Sequence, residues 1–396
     1  MPLFRAVIEA CDLLLHPLTG GSLLEDLLAE ETVSRMQRTD VAQPALFALQ
    51  IALVAVWQSW GIEPQAVIGH SVGEIAAAYV AGVLNLEDAI QVIFQRSRLQ
   101  ELTAGQGKML AVALSAEEAR AMIAPFGERV TLAAINAPCA VTLAGEAEAL
   151  HQCMALLEEQ SVFCRMLPLN YAFHSSMMDP LEEDLRASLH NLHPQAAQLP
   201  FLSTVTGGML GGPECDADYW WKNVRWPVQF ASGIQQLCEP TPPLFLEIGP
   251  HPVLSAYIME CLDGHPVKII PSLRRHEDEY LMLLNSLGSL YTLGAPVAWE
   301  KLVEQGQSVA LPHYPWQRVQ HWNASDRLFS PEIHPLLGTR CDSVGYITWE
   351  NTLNKPHLSY LQEHRGDNTA LFPFVGYLEI LFAAAFDHYK ATSCMI

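Results

Sequence analysis

The sequence predicts an α/β fold: a larger α/β body that carries a small inserted ferredoxin-like subdomain. Three observations predict it. Residues 66–80 read as a short apolar strand, a tight turn Gly69-His70-Ser71-Val72-Gly73 and a helix of small residues, which is the sequence form of a nucleophile elbow. Residues 109–169 run β-α-β-β-α-β, the order of a ferredoxin-like unit. Two later apolar runs, 201–205 and 244–248, have the composition of covered parallel strands.

The elements follow in chain order. Residues 1–15 are interrupted by Arg5, Glu9 and Asp12 and read as an amphipathic helix, not a secretory leader. Residues 43–60 have helical length, and Gln43, Pro44, Gln50 and Gln58 make them a buried helix and not a membrane span. Gly61 and Pro64 break this helix before the strand at 66–68, and a further helix spans 86–102. In the subdomain, strand 109–114 leads to helix 115–125, opened by a capping box of Ser115 and Glu118. Strands 130–136 and 140–144, helix 146–160 and strand 162–169 complete it. Residues 296–330 are aromatic and proline-bearing, with Leu-Pro-His-Tyr-Pro-Trp at 311–316 and then His321-Trp322, and should lie extended over a folded surface. The last stretch, 330–396, starts a new unit that is too short to close its own core.

The chain has 396 residues, 50% of them hydrophobic and 16% charged, with a formal net charge of −21. At about 150 residues per domain this suggests two or three domains, with ample apolar area for folding. So acidic a chain is a poor partner for nucleic acid, and an anionic ligand must be held by a few local cations. Nine cysteines without a CxxC pair fit free thiols in a reducing cytosol, so a cytoplasmic location is expected. No histidine and carboxylate cluster has metal-ligand spacing. There is no Gly-x-Gly-x-x-Gly and no Walker loop, so neither a metal nor a bound cofactor is expected.

Ser71 is the sharpest candidate for chemistry. The elbow lifts its hydroxyl out of the sheet and aims the amide of Val72 at a developing oxyanion. His174 follows the last subdomain strand, where the small lobe returns to the large one. It is either the base for Ser71 or a satisfied histidine at a strand end. Arg96 lies within an apolar helix; it could fork onto a carboxylate, although on sequence alone a surface arginine snorkelling over apolar area is favoured. His251, in Gly249-Pro250-His251-Pro252, reads as structural, and Arg274-Arg275-His276 as a solvated face.

The motifs Gly69-His70-Ser71-Val72-Gly73-Glu74, Tyr171-Ala172-Phe173-His174-Ser175 and Phe245-Leu246-Glu247-Ile248-Gly249-Pro250-His251-Pro252 occur with three others. These are Gln43-Pro44-Ala45, Arg96-Ser97-Arg98-Leu99 and Tyr219-Trp220-x-x-Asn223-x-x-x-Pro227-Val228. Together, and in this order, they resemble the acyltransferase domain of type I polyketide synthases and related fatty acid synthases. The resemblance covers residues 1–290, with the ferredoxin-like subdomain at 108–170. It implies an α/β-hydrolase-like large subdomain. Residues 291–330 look like the linker that follows this domain. Residues 331–396 look like the N-terminal fragment of a dehydratase hot-dog (α+β) domain: His334-Pro335-Leu336-Leu337-Gly338 resembles its opening and His364 through Pro373 its catalytic-histidine motif.

The resemblance implies a ping-pong transfer. Ser71 takes malonyl from malonyl-CoA with His174 as general base, and the phosphopantetheine thiol of an acyl carrier protein then accepts it. The family orients its histidine with a backbone carbonyl, here expected to be that of Asn223. Arg96 would bind the free carboxylate, with Gln43, His70, Tyr171 and Phe173 lining the acyl site. Phenylalanine before the histidine goes with malonyl in the family, and serine with methylmalonyl. Ketosynthase and dehydratase domains of the same synthase are the implied neighbours. The family domain usually opens with a strand and a Gly-Gln-Gly-Ser-Gln loop whose glutamine amide supplies half the oxyanion hole. This chain starts after that loop, so truncation and a reduced rate are expected. Asn368 stands where the dehydratase motif usually has glycine, so His364 is expected to be a base only in an intact domain. The competing readings are an α/β serine hydrolase and a non-catalytic synthase fragment. A hydrolase would place its histidine near the C-terminus, whereas His174 precedes most of the remaining body.

Overall fold

The computed structural model describes residues 1–238, 243–262, 267–302, 309–317, 334–354 and 356–390. They fall into two compact units, Met1–Gln307 and Ser308–Ile396.

In the first unit, helix Pro2–Thr19 buries Ile8, Cys11 and Leu15, the stripe expected of an amphipathic helix. The central helix, Thr39–Ser59, starts earlier than its apolar run suggests. The reason is tertiary: the Thr39 N–H donates to the Glu101 carboxylate at 2.8 Å, so a distant side chain serves as the cap. The helix is long and apolar enough to cross a membrane by length and composition. Here its Phe47, Ile51, Leu53, Val56 and Trp57 are buried in the unit's core. Strand β1 (Val67–Ile68) leads into the elbow and helix Gly73–Val80, and helix Leu86–Glu101 follows.

The subdomain is built as its pattern predicts. Strands β2 (Lys108–Val112), β3 (Val130–Ala137), β4 (Ala140–Gly145) and β5 (Cys164–Met166) form one antiparallel sheet in the order β3-β4-β2-β5. Helices Ala116–Ile123 and Ala147–Glu159 connect them. Leu110, Leu132, Leu143, Leu150 and Leu157 fill the core. The capping box is present: Ser115 Oγ accepts from Glu118 N and the Glu118 carboxylate accepts from Ser115 N. The largest departure is β5, which is three residues long where the pattern suggested 162–169.

The chain then adds β6 (Phe201–Ser203), parallel to β1, and β7 (Gly208–Leu210), antiparallel to β6. Helix Ala217–Arg225 is followed by an extended segment bonded to the subdomain. There Ile135 N donates to Val228 O at 2.8 Å and Val228 N to Ala133 O at 2.9 Å. These two bonds set the distance between the lobes next to the site. Strands β8 (Phe245–Glu247) and β9 (Ile269–Pro271) pair in parallel. Strands β7 and β9 were not foreseen: at three residues each, neither offers a period long enough to read.

The second unit has a hairpin of β10 (Thr339–Ser343) and β11 (Tyr346–Glu350), a second of β12 (Arg365–Gly366) and β13 (Thr369–Ala370), and helix Phe374–Tyr389. The two-residue turn Asp367-Asn368 has φ of 49° and 62°, so asparagine fills a left-handed position that glycine would otherwise take. Residues 309–317 carry neither helix nor strand, and Leu311, Tyr314 and Trp316 are exposed. Of the stretch expected to cover a folded surface, residues 296–302 do so within the first unit: Ala298 N donates to Trp60 O at 2.8 Å, and Val297 and Leu302 pack on the cluster of Trp57 and Trp60; His321-Trp322 lie outside the described residues.

Candidate active site

The elbow places Ser71 in a constrained backbone. Its φ is 53°, the left-handed region that costs energy for a residue with a side chain and that clusters at functional sites. Close packing holds it there. A Cβ on Gly69 would lie 2.3 Å from the Glu74 nitrogen, so only glycine lets the helix start sit against the strand end. Gly73 is different, since a Cβ there meets only Gln50 at 3.6 Å. Val72, next in the chain, is the N-cap of the elbow helix, and the amides of Gly73, Glu74 and Ile75 that follow it are taken by the carbonyls of His70, Ser71 and Val72.

His174 also has a positive φ, 60°. Its Nε2 lies 2.8 Å from Ser71 Oγ and its Nδ1 2.9 Å from the Trp226 carbonyl. The carbonyl can only accept, which assigns the proton to Nδ1 and leaves the Nε2 lone pair facing the serine hydroxyl. The orienting carbonyl is therefore that of Trp226, not of Asn223 as expected. Helix Ala217–Arg225 ends one residue before Trp226, whose extended backbone (ψ 156°) turns its carbonyl out of the helical ladder. Burial, then the charge of Arg96, pushes the His174 imidazole down to about 3. It is neutral at physiological pH.

Arg96 is no surface residue. It is 2% exposed and reaches the elbow from the middle of helix Leu86–Glu101. Its Nη2 donates to Ser71 Oγ at 3.0 Å, its Nη1 to Gln100 Oε1 at 3.0 Å and to Gln43 Oε1, and its Nε to Asn223 Oδ1 at 3.3 Å. Every one of these acceptors is neutral. Burial lowers its guanidinium to about 9, opposed by Glu74, so it stays cationic at neutral pH. Gln43, expected in the acyl site, is used at both ends: it accepts from Arg96 and donates to Gln100 Oε1 at 2.9 Å. The buried Nε2 of Gln100 has no acceptor among the described residues.

His70 bonds Asn136 Oδ1 of β3 at 2.8 Å and packs edge-on against Phe230. It ties the elbow to the small lobe. Tyr171 and Phe173 stack in parallel, ring centroids 4.9 Å apart. The Tyr171 hydroxyl donates to Glu101 at 2.7 Å, the same carboxylate oxygen that caps Thr39. A cavity of about 320 Å³ opens between the lobes at His174, lined also by Arg120, Leu132, Arg225 and Pro227. Among the described residues no group of three histidine, cysteine or carboxylate side chains could hold a metal. His251 accepts from Arg275 N at 3.3 Å and takes no part. His364, in the second unit, bonds the Leu371 carbonyl at 3.1 Å.

Three participants were not singled out by sequence reasoning. Glu74 was quoted only as the end of a motif, yet a lone acid inside an alanine-rich apolar helix was a usable signal. Gln100 sits one turn beyond Arg96, on the same helix face. The Trp226 carbonyl left no trace in residue identity.

Residues 1–296 match the acyl transferase domain family, and residues 334–396 match the polyketide synthase dehydratase domain family. Among curated relatives, the mycoketide-CoA synthase of Mycobacterium tuberculosis is 34% identical over 97% of this chain, which spans 10% of that protein's length. The acyltransferase domain from module 8 of the salinomycin polyketide synthase superposes with a TM-score of 0.74 at 37% identity, covering 76% of this chain and 72% of that one. The acyltransferase domain of SpnD, solved in complex with 2-(pent-4-yn-1-yl)malonyl, gives a TM-score of 0.68 at 31% identity, covering 74% and 71%. A serine elbow met by an imidazole and a buried guanidinium, on a fold shared with these domains, establishes that the chain belongs to the acyltransferase domain family of type I polyketide synthases and continues into the N-terminal part of a polyketide synthase dehydratase domain.

Proposed function

We propose that the chain transfers a malonyl group from malonyl-CoA, through an ester on Ser71, to the phosphopantetheine thiol of an acyl carrier protein. The observation that carries this reading is the buried Arg96, whose four hydrogen-bonded partners are all neutral and one of which is Ser71 Oγ. A buried cation without a direct carboxylate is costly. Here it stands beside the nucleophile, where the free carboxylate of a malonyl ester would supply the missing charge. The unmet donor on Gln100 lies on the same helix. A solved relative at 31% identity holds a substituted malonyl group.

The steps follow from the geometry. As Ser71 Oγ attacks the thioester carbonyl, its proton passes to His174 Nε2, 2.8 Å away. The Trp226 carbonyl accepts from Nδ1 and stabilises the imidazolium so formed. The oxyanion develops toward the Val72 amide. The carbon–sulfur bond breaks, His174 returns the proton to the CoA thiol, and the malonyl ester remains. In the second half His174 takes the proton of the carrier thiol, whose sulfur attacks the ester, and Ser71 Oγ leaves with that proton. Phe173, braced by Tyr171, fills volume that a methyl branch would need, which favours malonyl over methylmalonyl.

The test is incubation with radiolabelled malonyl-CoA, followed by addition of a carrier protein. Label held on the chain, passed to the carrier and absent from Ser71→Ala is the expected result. Rapid release of free malonate without transfer would instead mark a hydrolase.

A further inference from the structure

Glu74 lies three residues past Ser71, in the first turn of helix Gly73–Val80, with no exposed surface. A carboxylate in such a place is costly unless its lone pairs are met. Four donors meet it. Thr204 N–H, at 3.0 Å, and the Tyr219 hydroxyl bond Oε1, while the Thr204 hydroxyl, at 2.6 Å, and Asn223 Nδ2–H, at 3.0 Å, bond Oε2. The Tyr219 oxygen is fixed in turn by Ser203 Oγ at 2.7 Å. Ser203 Oγ also accepts from the amides of Val205 and Thr206, which leaves its own proton for Tyr219. Burial pushes the Glu74 carboxyl up, and the bonds from Thr204 and Tyr219 pull it back toward the anion.

The consequence lies in the Asn223 amide, which has one donating and one accepting end. Glu74 takes the nitrogen at 3.0 Å and the Ser71 carbonyl shares it at 3.3 Å, so the oxygen must face the other way, and it faces Arg96 Nε at 3.3 Å. Reversed, the amide would turn its nitrogen on the guanidinium and its oxygen on the carboxylate, two repulsions at once. Glu74, the nearer acceptor and the charged one, thus holds the sense of the amide together with the Ser71 carbonyl, and the amide anchors one edge of Arg96. With Nη1 held by Gln43 and Gln100, Nη2 is the group left at the serine. A direct ion pair would neutralise the guanidinium; one intervening amide couples the charges and leaves the serine-facing edge open.

We propose that Glu74 is the positioning residue of Arg96: through Asn223 it fixes the guanidinium beside Ser71 and so sets the preference for carboxylated over neutral acyl groups. This rests on the reading that Arg96 binds the acyl carboxylate. The test uses the full chain as wild type, Glu74→Gln and Thr204→Val, with acyl-serine formation followed by intact mass on malonyl-CoA and on acetyl-CoA. In Glu74→Gln the malonyl-to-acetyl ratio of kcat/KM is expected to fall about ten- to hundredfold, the range for a charged group losing a buried hydrogen-bonded partner. The loss should reside mainly in KM for malonyl-CoA. Thr204→Val removes one of the four donors and should lower the ratio in the same direction, by about threefold or more. Equal loss for both substrates in folded Glu74→Gln would mean a merely structural role and overturn the proposal. Should Glu74→Gln lose its circular-dichroism signature of folding, Thr204→Val decides, and a ratio equal to wild type overturns it. A wild type with no preference for malonyl would sink the carboxylate-binding reading itself, and this inference with it.

Discussion

Replacing Arg96 with alanine removes the buried cation that donates to Ser71 Oγ. The side chain is 2% exposed and donates to Ser71, Gln43, Gln100 and Asn223. A malonyl carboxylate bound there would make a desolvated charge pair, and truncating one partner of such a pair costs about 2–5 kcal/mol. At about 1.4 kcal/mol per factor of ten, this is roughly a 30- to 4,000-fold loss of malonyl acylation. A neutral acyl group has no charge to lose. It suffers only the missing hydrogen bond to Ser71 Oγ, about 0.5–1.5 kcal/mol and at most about tenfold. The acetyl-to-malonyl ratio should therefore rise by about threefold at the least and by about a thousandfold at the upper end. Competing malonyl-CoA and acetyl-CoA for the enzyme, with the acyl-serine species weighed by mass spectrometry, reads that ratio directly. Alanine also strands Asn223 Oδ1 beside the buried Glu74, which costs about 1–3 kcal/mol of stability. Rates must accordingly be scaled to the folded fraction from a thermal melt. Folded Arg96→Ala that still prefers malonyl would show that the guanidinium does not hold the carboxylate.

The buried imidazole of His174, pushed down to about 3, stays in its basic form well below neutral pH. Single-turnover acylation should be flat from pH 8 to about 5, and a limb near 6.5 would refute the stated burial. The same group binds more protons unfolded than folded between its ordinary value of 6.5 and about 3, so its contribution to stability is present above 6.5 and is lost as pH falls through that window; denaturant melts at stepped pH check the sign. Phe173→Ser leaves Tyr171 without its stacking partner and, on the proposed reading, would make room for a methyl branch on the acyl group. Selectivity for malonyl over methylmalonyl should drop by about 1–3 kcal/mol, measured as a ratio of kcat/KM values. Gly69→Ala drives a Cβ to 2.3 Å from the Glu74 nitrogen, an overlap only backbone movement can relieve. It should lower the melting temperature and abolish acylation, and an active, equally stable variant would contradict the close packing of the elbow.

The parts of this protein that were legible in its sequence are those whose cause is local. The ferredoxin-like subdomain announced itself because each strand or helix carries its own period and the capping box of Ser115 and Glu118 marks a helix start within four residues. The elbow was legible because a turn that must bring Glu74 N against Gly69 leaves glycine no substitute. Where the cause is tertiary, local reading failed in a consistent direction. Arg96 looked like a surface residue because polar Gln95 and Arg98 surround it on the helix, whereas its burial is decided by Gln43 and Asn223, which belong to other helices. The start of helix Thr39–Ser59 depends on Glu101, far along the chain, and the carbonyl that orients His174 belongs to Trp226, whose side chain is irrelevant to the task. Asn223 was assigned to the right place for the wrong atom: its side-chain amide, not its carbonyl, serves the site. The misassigned carbonyl has a plain physical root. Hydrogen-bond donors and acceptors on the backbone are the same in every residue but proline, so residue types can point to a nucleophile and a base, but only the path of the chain decides which carbonyl turns the base toward the nucleophile.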